Sequence, residues 1–191
     1  MSHVIEPAIS GRSRCRGCGR TIARGELRFG ERLANPYRDG DTTIWYHPRC
    51  AAYRRPEAFL ASRGAGVDAG DEAAARFSLE HRRVRRVGGV ERAPSGRARC
   101  RACRELIPRH ALRIPLLFYE EGMFSASGFV HLGCAREYFG STDLLDCVRH
   151  FAPGIDPADL EEVEAALRSA QAVESASADR PEESRPTTEE P

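Results

Sequence analysis

The chain has 191 residues, of which 41% are apolar and 7% are aromatic. This length suits one ordinary domain or two small ones, so we do not expect a large catalytic or cofactor-binding fold. The formal net charge is only +1, but residues 1–150 carry 26 Arg against 17 acidic residues, and residues 151–191 carry 3 Arg against 11 acidic residues. A basic body therefore precedes an acidic tail.

No apolar run approaches the roughly 18–20 residues that cross a membrane, and the first residues lack the apolar segment of a signal peptide. We therefore expect no membrane partner and an intracellular location. In a bacterium, which we favour, this would be the cytoplasm or nucleoid, and in a eukaryote the nucleus. Because such compartments keep thiols reduced, the seven cysteines indicate metal binding rather than a disulfide framework.

An internal repeat organises most of the chain. The segment SGRSRCRGC at residues 10–18 returns as SGRARCRAC at residues 95–103, with seven of nine positions identical. In both copies, an aromatic residue then lies two positions before a His-x-x-Cys motif. The repeat predicts two modules, at residues 1–79 and 90–171, joined by residues 80–89 and followed by a tail at residues 172–191.

Each module is expected to run loop, strand, turn, strand and helix. Residues 26–33 alternate between apolar and polar, as a half-buried strand does, and turn residues at 38–41 precede a second strand at 42–46. In the second module, strands at 112–119 and 128–132 flank a hairpin tip at 121–125.

The joining and terminal segments differ from the modules in composition. Residues 80–89 hold four Arg within five positions and end in Gly-Gly, which predicts a basic linker that either contacts phosphate or is solvated. Residues 156–170 have an apolar face at helical spacing and a proline at the first helical position, which predicts an amphipathic helix. Residues 172–191 are rich in Ser, Pro, Thr and Glu and lack aromatic residues, so we expect disorder.

Two sets of four residues have the spacing of zinc ligands. In each set, a Cys-x-x-Cys pair supplies two thiolates on one tight turn, and a His-x-x-Cys pair supplies an imidazole and a third thiolate. Zinc favours this tetrahedral donor set, and four protein ligands leave no place for a reacting water, so both sites are predicted to be structural. The predicted ligands of the two Zn²⁺ ions are Cys15, Cys18, His47 and Cys50 in the first module and Cys100, Cys103, His131 and Cys134 in the second.

The predicted fold class is therefore small α+β, with two zinc-stabilised modules that each hold an antiparallel hairpin or sheet and a following helix, and with a disordered acidic tail. Each module is too small for a large core, so zinc binding is expected to contribute to folding. Buried or redox-active cysteines are the alternative explanation of the Cys-x-x-Cys pairs. Cys147 has no partner at ligand spacing and is predicted to be buried, whereas His3, His81, His110 and His150 are predicted to lie at the surface or at helix caps.

The order Ser-Gly-Arg-x-x-Cys-x-x-Cys, then Leu-Arg on a strand, then aromatic-x-His-x-x-Cys resembles the poly(ADP-ribose) polymerase-type (PARP-type) zinc finger. The resemblance covers roughly residues 4–60 and 89–170, and it implies recognition of nicks, gaps and ends in DNA. It implies phosphate contacts by Arg12, Arg28, Arg97 and Arg113. It also implies base stacking at the hairpin tips, near Tyr37, Arg38 and Thr42 in the first module and at Met123 and Phe124 in the second. The polar Thr42 departs from the apolar pair that the family has at the first tip.

The leading hypothesis is therefore a DNA-binding protein without enzymatic activity that recognises strand breaks through two tandem zinc fingers. A repair enzyme recruited afterwards would be a further partner, which the sequence does not identify. The alternative is a zinc-stabilised adaptor that binds another protein and no nucleic acid, because a shared fold does not guarantee a shared function. RNA binding is a third hypothesis, since unstacked bases and phosphates occur in both nucleic acids.

Overall fold

The computed structural model of the chain describes residues 3–35, 38–62 and 67–178. Within them, the strands form two antiparallel three-stranded sheets, one in each repeat. The first sheet holds β1 (Val4–Pro7), β2 (Leu27–Ala34) and β3 (Asp41–Tyr46), in that order. The second sheet holds β4 (Glu91–Arg92), β5 (Leu112–Glu120) and β6 (Met123–His131). The predicted α+β fold class is confirmed.

The helices follow each sheet along the chain. In the first repeat they are α1 (Pro48–Arg54), α2 (Pro56–Ala61) and α3 (Ala69–Glu80). In the second repeat, a short 3-10 helix (Leu132–Cys134) leads into α4 (Ala135–Phe139), which is followed by α5 (Leu145–Phe151) and α6 (Pro157–Ala178). Within the described part of the chain, no helix combines the length and the apolar character needed to cross a membrane.

Each sheet begins with a short strand where the sequence predicts a loop. β1 pairs with β2 and places Glu6 opposite Arg28, and β4 pairs with β5 and places Glu91 opposite Arg113. Strands of two to four residues carry too little alternation to be recognised by periodicity. These cross-strand ion pairs decide the position of two arginines that were predicted to contact DNA.

Close packing of the first sheet requires a glycine in β2. A methyl group at Gly30 would lie 2.7 Å from a ring carbon of Trp45 and 2.8 Å from a methyl carbon of Val4. The neighbouring Phe29 is fully buried and pairs in register with Tyr46, which is also fully buried. The centre of β2 is therefore covered on both faces.

The second hairpin is longer than predicted, because its turn contains only two residues. Glu120 pairs with Met123, and both turn residues have positive φ, 50° at Glu121 and 80° at Gly122. Positive φ at both central positions is the geometry of a type I′ turn, whose twist matches that of the flanking strands. The predicted tip at 121–125 is thus wrong, and Met123 and Phe124 belong to β6.

The segment predicted to be a basic linker is instead a packed 3-10 helix, Arg82–Arg86. Val84 and Val87 are fully buried, since residues three apart lie on one face of a 3-10 helix. Three of its arginines are engaged with protein: Arg85 pairs with Glu57, Arg83 donates to the carbonyl of Tyr138, and Arg86 donates to the hydroxyl of Ser127. The linker was predicted to be solvated or to contact phosphate, but it joins the two cores.

The two repeats share further contacts besides this connecting helix. The guanidinium of Arg54 lies 3.9 Å above the ring of Phe151, and that of Arg55 lies 4.3 Å from the ring centre of Tyr119. Arg55 also holds the fully buried carboxylate of Glu31 at 2.6–2.9 Å. Buried side chains of both repeats therefore form one continuous core.

The last helix runs past the end that the sequence predicted. Its buried face holds Val163 and Leu167, as expected from the spacing of the apolar residues. The helix continues to Ala178, into the segment at 172–191 that was predicted to be disordered. Three alanines at residues 172–178 favour helix over coil, which explains the extension. The rest of the predicted tail, from residue 179, lies outside the described residues.

Candidate metal centres and nucleic-acid surface

The first metal centre forms where a tight turn meets the end of β3. The turn that carries Cys15 and Cys18 closes through a hydrogen bond from the amide of Gly19 to the carbonyl of Cys15, at 2.8 Å. His47 directly follows β3, and Cys50 lies in the first turn of α1. Hairpin, turn and helix thus bring four ligands from distant positions of the sequence to one point.

The second centre repeats this arrangement with Cys100, Cys103, His131 and Cys134. The amide of Arg104 donates to the carbonyl of Cys100 at 3.1 Å and closes the turn. His131 is the last residue of β6, and Cys134 lies in the 3-10 helix that follows. In both centres, the amide of the ligand histidine donates to the first cysteine sulfur, at 3.3 Å for His47 and 3.4 Å for His131.

The two ligand sets fit zinc. In each set the four donor atoms lie within 4.8 Å of one another, and the seven cysteines form no disulfide. A tetrahedral zinc with bonds of about 2.3 Å places neighbouring sulfurs roughly 3.8 Å apart, so one ion can reach all four donors. Three thiolates and an imidazole form a closed set, and the two zinc ions are structural.

Ring orientation identifies the ligating nitrogen of both histidines as Nδ1. Nδ1 of His47 lies 3.4 Å from Cys18 Sγ, and Nδ1 of His131 lies 3.4 Å from Cys103 Sγ. The opposite nitrogen faces a partner outside the centre: Nε2 of His131 lies 3.3 Å from the Leu106 carbonyl, within hydrogen-bond distance, and Nε2 of His47 lies 3.6 Å from a Glu26 carboxylate oxygen. Such outer partners fix the tautomer and the ring angle of a metal ligand.

Hydrogen bonds within the first centre favour the thiolate form of one cysteine. The pKa of Cys18 is held far below its ordinary value, chiefly by hydrogen bonds from Cys15 and Cys50. The guanidinium of Arg20 also donates to Cys18 Sγ, at 3.4 Å. A sulfur that carries negative charge before the ion arrives is a favourable first ligand for a divalent cation.

His150 lies beside the first centre, although the sequence predicted a surface or cap position. Its Nε2 is 3.0 Å from Cys50 Sγ, across 100 positions of the chain. Burial lowers the pKa of His150 to about 4, so the ring is neutral at pH 7. Because the ring belongs to α5, the second repeat supplies an outer contact to the zinc centre of the first. The sequence could not predict this contact, because the two residues lie 100 positions apart.

Arg28 and Arg113, the arginines after the strand leucines that are predicted to contact phosphate, are buried. Each is only 6% exposed. The Arg28 guanidinium lies 3.5 Å above the Trp45 ring and donates to Glu6 at 2.6 Å. The Arg113 guanidinium lies 3.4 Å above the Phe129 ring and donates to Glu91 at 3.0 Å through Nε. The cross-strand glutamate and the aromatic ring hold each arginine inside its module.

The other predicted phosphate contacts, Arg12 and Arg97, lie at the surface. Both are exposed, and neither side chain forms a hydrogen bond or ion pair with the residues that the structure describes. The zinc-binding turn begins only three residues later in each module, so the ion fixes the loop that carries the arginine. These two guanidiniums are free to bind an anion.

The predicted base-stacking residues have different environments. Phe124 is half-buried, with its ring 4.8 Å from that of Tyr119 and 5.2 Å from the Arg54 guanidinium. Met123 is 54% exposed, and its sulfur accepts a hydrogen bond from Arg16 at 3.0 Å. Arg38 is exposed, whereas Tyr37 lies outside the described residues. The ring of Phe124 therefore packs between the repeats rather than at a free tip.

Comparison with known proteins agrees with the geometry of the first centre. The family model described as the poly(ADP-ribose) polymerase and DNA-ligase zinc-finger region matches residues 6–69. This segment is therefore similar to the zinc fingers of that family. The match contains all four ligands of the first centre.

Two curated proteins resemble a larger part of the chain. Poly [ADP-ribose] polymerase 1 of Oryza sativa subsp. japonica is 25% identical over 158 residues, which are 73% of this chain and 16% of that protein. Poly [ADP-ribose] polymerase of Sarcophaga peregrina is 26% identical over 168 residues, which are 74% of this chain and 17% of that protein. The chain thus spans about a sixth of the length of these relatives.

Proposed function

We propose that the chain binds DNA at strand breaks through two tandem PARP-type zinc fingers and acts by binding rather than by catalysis. The observation that carries the proposal is the recurrence of one exposed arginine, Arg12 or Arg97, on the loop that enters each zinc-binding turn, without a side-chain partner among the described residues. A guanidinium binds a phosphate through two parallel hydrogen bonds, which makes such an arginine suited to a nucleic-acid backbone. Each finger would then contact the backbone on one face.

The shared core supports recognition of breaks over recognition of sequence. Because the connecting 3-10 helix and the Arg54–Phe151 contact join the repeats, the two arginine loops keep one relative placement. An intact duplex resists sharp bending, whereas a nick or gap acts as a hinge. DNA that bends at a break can bring phosphates to both loops, and this selects the break by shape.

We propose base contacts only for those predicted stacking residues whose side chains are exposed to solvent. Met123, at the turn of the second hairpin, is the best placed of the predicted stacking residues, since it is 54% exposed. Its apolar side chain would pack against the face of an unpaired base. Arg38 and Tyr37 of the first hairpin stay predictions. Phe124 is half-buried and already contacts the Tyr119 ring, so it is less accessible to a base than Met123.

The decisive experiment is fluorescence anisotropy with nicked, gapped, blunt-ended and intact duplexes of one sequence across a salt series. The proposal predicts tighter binding to the nicked and gapped duplexes, and loss of this binding in the double variant Arg12→Ala with Arg97→Ala. A control variant, Arg76→Ala with Arg168→Ala, removes the same charge from exposed helix positions and should bind normally. Equal affinity for all four duplexes would refute break recognition.

A protein-binding adaptor is the second candidate, and exposed apolar residues of the second hairpin favour it. Phe118 is 50% exposed and Met123 is 54% exposed. If the chain is an adaptor, the variant with Arg12→Ala and Arg97→Ala should keep its partner, and no duplex should bind. Competition with single-stranded RNA in the same assay tests the RNA hypothesis.

The proposed ligand also bears on location and partners. A protein of this function works where DNA is exposed to damage, which is the nucleus in a eukaryote. Both relatives come from eukaryotes, so they give no support to the bacterial location that the sequence analysis favoured. A repair enzyme would be a partner only after a break is bound, and its identity stays open.

A further inference from the structure

A cleft of about 460 Å³ lies between the two repeats, beside the first zinc centre. Three arginines of the first repeat line it, Arg16, Arg20 and Arg54, and the second repeat supplies an aromatic wall with Phe124 and Phe151. Within the described ranges, no aspartate or glutamate lines this inter-repeat cleft. A concave surface that carries positive charge without acidic groups favours an anionic ligand.

Arg54 places a buried charge at the inter-repeat cleft. The residue is only 2% exposed, and its guanidinium lies 3.9 Å above the Phe151 ring. The guanidinium donates to the carbonyl of Arg85, but its buried Nε has no hydrogen-bond partner among the described residues, and no described carboxylate pairs with it. Burial lowers the pKa of Arg54 to about 10, which leaves the group charged at pH 7. A buried charge without a counter-ion is costly, so an anion in the cleft would be stabilised.

Arg16 and Arg20 are exposed at the cleft and have only sulfur acceptors. Arg16 donates to the sulfur of Met123 at 3.0 Å, and Arg20 donates to Cys18 Sγ at 3.4 Å. Neither forms an ion pair with a carboxylate in the part of the chain that the structure describes. Because a guanidinium has several N–H donors in a planar fork, each of these two arginines keeps donors for a ligand.

The charge balance of the cleft favours a doubly charged anion. With zinc bound, the three thiolates and the neutral imidazole of the first centre leave a single negative charge beside the cleft. The three lining arginines exceed this charge by +2, and His150, which also lines the cleft, is neutral at pH 7. A phosphate monoester carries roughly −1.5 to −2 at pH 7. A phosphate inside a DNA strand carries only about −1.

The second repeat has no equivalent of this set of arginines. Counted from the ligand cysteines, it has Arg101, Glu105 and Tyr138 at the positions of the three arginines. Arg101 donates to the carbonyl of Ser127 at 3.0 Å, and none of these three residues lines the inter-repeat cleft. The cleft is therefore a single feature that forms where the two repeats meet, and it is not repeated in each finger.

We propose that the inter-repeat cleft binds the terminal phosphate monoester of a broken DNA strand, at the 5′ or the 3′ end. The inference rests on the proposed function and adds recognition of the chemistry of the strand end to recognition of its shape. A terminal phosphate is bonded to one sugar only, so it can enter a concave site, whereas an internal phosphate is flanked by sugars on both sides. Arg16 and Arg20 bind its oxygens, and Arg54 supplies positive charge from within the protein. The aromatic wall excludes water and strengthens this attraction.

The test compares three nicked duplexes of one sequence, with a 5′-phosphate, with a 3′-phosphate, or with hydroxyls at both ends of the nick. At least one phosphate-terminated nick should bind about 10-fold more tightly than the hydroxyl-terminated nick, because hydrogen bonds between charged groups in a partly buried site are strong. The nick that shows this preference identifies which end of the strand the cleft binds. Fluorescence anisotropy at fixed ionic strength measures the three affinities.

Variants locate the preference within the molecule. Arg16→Ala should bind all three nicked duplexes with nearly equal affinity and keep its affinity for the hydroxyl-terminated nick. Arg101→Ala is the matched control, since it changes the same position of the second zinc-binding turn and should keep the preference. Arg54→Met removes the buried charge and should also lose the preference. Circular dichroism and zinc content show whether Arg54→Met folds, and Arg16→Ala, at an exposed position, decides the question if it does not.

A free mononucleotide separates the phosphate from its place in the duplex. Deoxyadenosine 5′-monophosphate, added at constant ionic strength, should weaken binding of the preferred phosphate-terminated nick more than binding of the hydroxyl-terminated nick. Deoxyadenosine, which lacks the phosphate, should weaken neither. Equal displacement of both nicked duplexes by the monophosphate would contradict a phosphate site in the cleft.

Failure of this inference differs from failure of the proposed function. If the three nicked duplexes bind equally, and all more tightly than intact duplex, the proposed function stands and the end-binding cleft is wrong. A preference for phosphate that survives in Arg16→Ala would also overturn the inference, because the phosphate would then bind elsewhere. If the wild-type chain binds no duplex, the proposed function fails and the end-binding cleft fails with it.

Discussion

Replacing Arg28 by alanine tests whether this arginine stabilises the fold or binds DNA. In the folded chain, the side chain of Arg28 is 8% exposed and bonds to Glu6 at 2.6 Å and to the hydroxyl of Ser13 at 2.9 Å. Its guanidinium also lies 3.5 Å above the Trp45 ring. Alanine removes all three contacts and leaves the partly exposed carboxylate of Glu6 unpaired.

The expected cost follows from these contacts. Loss of a hydrogen bond to a charged group costs about 1.5–3 kcal/mol, and the lower part of that range applies because the Glu6 side chain is 35% exposed. Loss of the contact with the Trp45 ring costs about 0.5–2 kcal/mol. Together they predict that Arg28→Ala lowers the free energy of unfolding by about 2–4 kcal/mol. The exposed Arg12→Ala should change it by less than about 0.5 kcal/mol.

Urea unfolding at a fixed free zinc concentration measures this difference in stability. Binding to the nicked duplex is then measured under conditions where both variants are folded. Arg28→Ala should lower the urea midpoint at unchanged slope and leave the affinity for DNA unchanged. Arg12→Ala should leave the urea midpoint nearly unchanged and weaken binding to the nicked duplex. A variant Arg28→Ala with wild-type stability and abolished DNA binding would refute the reasoning and restore Arg28 as a phosphate contact.

Three further predictions concern the core and the first zinc centre. His150→Ala should speed zinc loss to a chelator from the first centre by roughly 10-fold, because its ring contacts Cys50, while the second centre serves as the internal control. Burial raises the pKa of Cys147 to about 12, so a maleimide should label this thiol in unfolded chain only; rapid labelling of native protein would contradict its burial. Gly30→Ala should cost about 1–3 kcal/mol of stability, because its methyl group would overlap Trp45, whereas Gly133→Ala, with open space around it, should be neutral in the same unfolding assay.

The zinc ligands could be predicted from the sequence because their signal is local. A Cys-x-x-Cys pair must lie on one turn. A His-x-x-Cys pair after a strand places both ligands at the junction between that strand and the following helix. The repeat then gave the same ligand set twice, and the structure brings each set together. The burial of Cys147 was also predicted correctly, since a free cysteine outside the metal centres commonly behaves as a small buried apolar residue.

Residues whose role depends on a distant partner could not be predicted in this way. Arg28 and Arg113 read as surface charges, because the glutamate that holds each of them lies 22 positions earlier on a strand too short to recognise. His150 reaches Cys50 across 100 positions. The connecting segment appeared solvated because its four arginines dominate its composition, while Val84 and Val87 fix its position. In each case tertiary packing decides whether a charge faces solvent.

Stepwise removal of zinc while nicked-duplex binding is followed tests the central claim most directly. Chain purified without chelator should hold two zinc ions, and binding of the nicked duplex should fall as the ions leave, with recovery on adding zinc back. Both arginine loops depend on zinc-binding turns, so a metal-free chain should lose its β-sheet circular dichroism as well. Undiminished binding by fully metal-free chain would contradict the account.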